Sequence, residues 1–279
     1  MDYELPLPAL TPENPCSYLA ALGLLRLAAG HEQLGQVGLS WSGSAANESA
    51  TLHVARQQTL EELGELLAAN HGDVWLPDCG KDIRKLTPEK WKETGSSSWI
   101  GRPDHLDKNG EILPTGWRTY TIKEKVGWLE AVRVVAKETD GSEKWLEALR
   151  GPWMQSDKVS PLGLEPSSYQ DAARQASDLS TVKPLATAGL VWLAINAFPL
   201  FPVLPGVKRP LTAGLFDGDF IYATWSEPLP LSMVSVMCRI RWSNVKRSNF
   251  TPYGIRTFWR SAITRTATDR RQLGLAYPI

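Results

Sequence analysis

The imidazoles and thiols able to carry metal or proton chemistry are few: His31, His53, His71 and His105, with Cys16, Cys79 and Cys238. Their densest gathering is His71, Asp73, Asp78 and Cys79, followed by Asp104, His105 and Asp107. Carboxylates and imidazoles of this kind ligate divalent cations, so Asp73, Asp104, His105 and Asp107 describe one alternative reading, a metal-dependent nuclease. The spacing argues against it. None of these residues has the paired geometry of HExxH or CxxC, and Asp and His are common in polar, loop-rich stretches. The signatures of nucleotide, dinucleotide and serine-hydrolase sites, GxxxxGK[ST], GxGxxG and GxSxG, do not occur. The expectation is a binding protein with no catalytic residues, no metal and no cofactor.

Charge indicates what it would bind. Acids and bases balance over the 279 residues, 30 of each, but not along them. From Arg239 onward the bases are Arg239, Arg241, Lys246, Arg247, Arg256, Arg260, Arg265, Arg270 and Arg271, against the single acid Asp269. The segment therefore carries about +8 and the remainder about −8. Arginine forks suit phosphate, and Tyr253 and Trp259 lie among the charges where an aromatic face could stack on an unpaired base. Lys246, Arg247, Tyr253, Arg256, Trp259 and Arg260 are the expected nucleic-acid contacts. The same arginines also suit internal pairing with the surplus acids, and the aromatics suit a core.

A second basic stretch, with Lys81, Arg84, Lys90, Lys92 and Arg102, alternates with acids and with Trp91, Trp99 and Trp117, and is a candidate DNA-contacting loop. Its glycines, prolines and serines predict a loop-rich insertion over 72–118. Exposed indoles there leave a carbohydrate-binding module as a further alternative, although most tryptophans are core anchors.

The elements that must position these residues are legible in patches. Asn14 as N-cap, Pro15 in the first turn and an apolar stripe through Tyr18, Leu19, Leu22 and Leu25 predict a helix to about Gly30. GLSW at 38–41 and TLHVA at 51–55 predict a hairpin, and Thr59 with Glu62 a capping box for the next helix. Further helices are expected over about 122–137, 142–150, 184–198 and 231–237, with strands at DFIYATW, 219–225, and CRIRW, 238–242. The fold class is α+β, organised as 1–71, the insertion 72–118, and 119–279 with its basic end. Composition is that of a globular protein, the widely spaced cysteines suggest no disulfide framework, and no apolar run is long enough for a membrane helix. A cytoplasmic location is expected, the proline- and acid-containing start being unlike a secretory signal.

Two blocks carry a family resemblance: NPCSYLAALGLLRLAA with LSW after it, and LATAGLVWLAINAFPLFPV followed by TWSEPLPLSMVSV. Together with the later NFTPYG they resemble CRISPR-Cas proteins of subtype I-G, formerly I-U, and large-subunit-like components of Cascade surveillance complexes. The matching stretches cover about a quarter of the chain. The resemblance implies an antiviral-defence subunit that meets other effector subunits, crRNA and target DNA. In such complexes guide pairing reads sequence while protein holds the displaced strand and the flanking motif. It supplies no active-site residue, because Leu19, Leu22, Leu25, Trp192, Leu193 and Phe201 are core residue types.

Overall fold

A computed structural model describes residues 1–44, 47–69, 87–89, 101–117, 128–166, 185–206, 210–242, 250–265 and 271–279. The N-terminal part contains β1 (Tyr3–Leu7), α1 (Pro15–Ala28), β2 (Val37–Ser42), β3 (Ser49–Val54) and α2 (Leu60–Ala69). A hairpin, β4 (Gly101–Leu106) and β5 (Ile112–Pro114), precedes α3 (Trp128–Glu138), α4 (Ser142–Arg150) and α5 (Ala188–Asn196). Then come β6 (Val203–Leu204), β7 (Leu211–Thr212), β8 (Leu215–Phe216), β9 (Asp219–Trp225), β10 (Leu229–Pro230) and α6 (Leu231–Met237). The chain closes with β11 (Ile255–Arg265), β12 (Arg271–Leu273) and β13 (Tyr277–Pro278). All described pairings are antiparallel, and the fold is α+β.

Two sheets flank α1. One has the order β1-β3-β2-β10, and the other β12-β11-β9-β8 with β13 also on β11. Pro6 is tolerated in β1 because that strand is an edge, where a missing N–H costs no ladder bond. Apolar residues surround α1 on nearly every side, so it is a buried central helix rather than an amphipathic surface one. Asn14 caps it as its residue type predicts: Oδ1 accepts from the backbone N–H of Cys16 at 2.9 Å and of Ser17 at 3.4 Å. The Asn14 amide also donates to both oxygens of buried Glu165 at 3.1 Å, bringing a carboxylate to the positive end of the helix.

Every residue of α5 is buried, and the helix packs against α1, α3 and α4. Two glycines permit this crowding. A Cβ on Gly23 of α1 would lie 1.8 Å from the Leu193 carbonyl oxygen, and one on Gly189 of α5 would lie 2.2 Å from that of Lys144 in α4. Asp157 completes the junction, accepting from the Ala188 N–H at 2.8 Å and pairing with Lys144. The expected capping box is present, with Thr59 N–H donating to Glu62 at 2.7 Å and Glu62 N–H to Thr59 Oγ1 at 3.1 Å.

One expectation is corrected. CRIRW is not a strand: Cys238, Arg239 and Ile240 donate their N–H groups to Val234, Val236 and Met237, so the segment tightens the end of α6. Its alternation of buried and exposed residues arises from that turn, not from a pleat. Within the span read as a loop-rich insertion, 101–114 forms a hairpin, and Trp117 is a core residue stacked on Phe198 with centroids 4.6 Å apart. Trp91 and Trp99 lie outside the described residues. Among the described residues, no helix is long and apolar enough to cross a membrane.

Helix propensity favours Gly23→Ala by about 1 kcal/mol, whereas forcing two packed backbones apart costs more. The expected net loss is about 2 kcal/mol, measured as a lower urea midpoint with an unchanged m-value. A loss below about 0.5 kcal/mol would show that the helices separate freely.

Candidate nucleic-acid interface

The basic C-terminal segment is built on β11, which lies antiparallel to β9. Its register runs from Ala262 opposite Asp219 to Thr257 opposite Thr224, then slips so that Ile255 faces Trp225. Arg256 is the extra residue of this bulge, and a bulge re-aims its side chain. Arg256 Nε donates to Glu48 Oε1 at 2.7 Å, and a terminal guanidinium nitrogen donates to the Gly43 carbonyl. Glu48 is 1% exposed and also accepts from the Thr224 hydroxyl at 3.0 Å. Arg256 therefore neutralises a buried carboxylate and ties β11 to the β2–β3 turn.

Two of the neighbouring arginines also pair with carboxylates. Arg260 pairs with Asp219 at 2.6 Å. Arg241 reaches Asp217 at 3.3 Å and sits over the Phe216 ring, 4.9 Å from its centroid. Arg239 donates to Ser235 Oγ at 3.5 Å, the edge of hydrogen-bonding range. Guanidinium groups held by carboxylates must exchange those partners before gripping phosphate. So Arg256 and Arg260, expected as phosphate contacts, occupy structural pairs.

The aromatics divide as well. Trp259 is only 3% exposed and faces Tyr222 and Pro278 across the sheet, which corrects its reading as a stacking platform. Tyr253 is the opposite case. It is 80% exposed on the Thr251–Tyr253 turn, which Gly254 ends with a left-handed φ of 80°. Phe250 supports it edge-on at 6.5 Å and joins it to the Trp242–Phe258 cluster. Lys246 and Arg247 lie outside the described residues, as do Lys81, Arg84, Lys90 and Lys92.

Arg102 and the candidate metal ligands Asp104, His105 and Asp107 meet at the β4–β5 hairpin. Arg102 forks the Asp104 carboxylate through Nε at 2.8 Å and a terminal nitrogen at 2.6 Å, and donates to the Val203 carbonyl at 3.0 Å. These bonds, with a further one to His105, hold Asp104 well below the usual carboxylate range. His105 Nε2 lies 2.9 Å from the Gly206 carbonyl, and that acceptor, followed by Asp104, raises the imidazole above its ordinary pKa. Asp107 is turned to the hairpin itself, accepting from the N–H groups of Asn109 and Glu111 at 2.8 and 3.0 Å. The cluster docks the hairpin onto 203–206. Among the described residues, no three His, Cys, Asp or Glu side chains gather as a metal site, and Asp73 lies outside them.

One constellation was not visible in the sequence because its members sit on three strands. Glu4 of β1, His53 of β3 and Ser40 of β2 share a sheet face, with Ser40 Oγ 2.7 Å from His53 Nε2. The Glu4 carboxylate is 3.8 Å from the ring, beyond a hydrogen bond, and is exposed. Ser40 and His53 are buried, and burial lowers the His53 pKa. The hydroxyl satisfies a buried imidazole rather than presenting a nucleophile.

No family model, curated protein or solved structure matches the chain.

Removing Arg256 strands the Glu48 charge, so Arg256→Ala should cost about 3 kcal/mol, and adding Glu48→Gln should restore at least about 1 kcal/mol. Equilibrium unfolding of the two variants checks this. Equal stabilities would mean that Glu48 is solvated without its partner.

Proposed function

We propose that this chain is a non-catalytic subunit of a crRNA-guided CRISPR surveillance complex and helps it bind target DNA. One observation carries the reading beyond the sequence: the separated blocks of the resemblance interlock. Gly23 from the first block meets the Leu193 backbone from the second. The Trp225 indole N–H donates to the Leu39 carbonyl at 2.6 Å, and the Trp41 and Trp225 rings meet edge to face at 6.4 Å. The residues of the two blocks thus belong to one packed unit, and in this reading the resemblance is to a scaffold.

On that scaffold, DNA contact is assigned to Tyr253 together with Lys246 and Arg247. Tyr253 offers a solvent-facing ring on the Thr251–Tyr253 turn, suited to an unpaired base of the displaced strand. Lys246 and Arg247, a few residues earlier in the chain, supply the phosphate contacts in this reading. Arg256 and Arg260 act as structural pairs behind it. The proposed setting is cytoplasmic, with other effector subunits, crRNA and target DNA as partners.

The test is a salt series of target-DNA binding by the assembled complex. Replacing Lys246, Arg247 and Tyr253 by Ala should flatten the logarithmic salt slope by about 1.4, roughly 0.7 for each lost single-strand phosphate contact. Arg260→Ala should leave the slope unchanged. An unaltered slope in the triple variant would overturn the assignment. DNA cleavage by the purified chain with magnesium, lost on Asp104→Ala, would replace it with the nuclease reading.

A further inference from the structure

The α6 helix is unusually apolar for its position. It lies across α1 and β2, burying Val234 there, while Leu231 and Met237 are partly covered by the core. Met233 and Val236 remain 51% and 55% exposed. Three residues apart, they stand together on the side of the helix turned from the core. The helical turns continue through Cys238 and Arg239, so the row proceeds from the thioether and the isopropyl group to the exposed Arg239 guanidinium. Arg239 is held by Ser235 at 3.5 Å, in contrast to the close carboxylate pair of Arg260.

We infer that the Met233–Val236–Arg239 face of α6 docks a helix of a neighbouring protein subunit, one with an apolar stripe and a carboxylate beyond its end. The chemistry selects the partner. A phosphate backbone offers nothing to receive a thioether and an isopropyl group, whereas an apolar helix face does, and methionine adapts its shape to such a surface. Arg239 then sets orientation, since an acidic group beyond the stripe meets it and a basic group is repelled. That the partner is an effector subunit rests on the proposed function; the surface and its charge preference do not.

The experiment titrates the full chain with two synthetic amphipathic helices, one carrying leucines flanked by glutamates and the other the same leucines flanked by lysines. Fluorescence anisotropy should show the acidic helix binding about two- to fivefold more tightly. Met233→Ser with Val236→Ser should weaken its binding about tenfold or more with an unchanged thermal midpoint, both positions being exposed. Arg239→Ala should narrow the gap between the two peptides. Equal binding of the peptides, or undiminished binding by the double variant, overturns the inference. So does a wild-type dimer that the double variant dissociates, which makes a second copy the occupant, or a loss of DNA affinity in that variant, which makes the face a nucleic-acid surface. If the chain fails to join a crRNA-guided complex while the peptide results hold, the proposed function falls and the docking face stands.

Discussion

The architecture depends on how closely α1 and α5 approach. Their backbones meet at Gly23 and Leu193, where not even a methyl group fits, and Arg26 reaches from α1 to the Asn196 side chain at 3.3 Å. This crossing fixes the position of α1, and α1 in turn organises the sheets. Tyr18 stacks between Trp41 of β2 and Tyr222 of β9, at 5.4 and 4.1 Å, and its hydroxyl donates to the Ala223 carbonyl at 3.2 Å. A single ring thus joins the central helix to both sheets. Loosening the helix pair would release the platform on which β9, α6 and β11 rest.

The second constraint is electrostatic and offsets part of the lopsided charge of the sequence. The acid surplus of the N-terminal part and the basic surplus of the C-terminal part are brought together at Glu48 and Arg256, across the fold. Asp219 and Asp217 hold Arg260 and Arg241 within the C-terminal half. A charge excess along a sequence is therefore not the charge excess of a surface. Among the described residues, Tyr253 on its turn and Met233 and Val236 of α6 are large side chains that the fold leaves facing solvent.

Local patterns were read well and remote ones were not, for a physical reason. A cap, a proline in the first turn and an apolar stripe act within a few residues, which is why α1, the Thr59–Glu62 box, α4 and the span of β9 were legible. The cap of α5 comes from Asp157, far back in the chain, and nothing near Ala188 announces it. β11 was hidden because Arg256 and Arg260 interrupt its apolar pattern, and their carboxylate partners are visible only in three dimensions. For the candidate interface, residue types could not tell Tyr253, which faces solvent, from Trp259, which is core.

In the proposed function the chain is a subunit that binds within an assembly. The most direct test is to assemble the crRNA-guided complex with and without this chain and measure its affinity for the same target DNA at one fixed salt concentration. The account predicts that the complete complex binds at least about tenfold more tightly, a difference of about 1.4 kcal/mol. Equal affinity of the two complexes would contradict it.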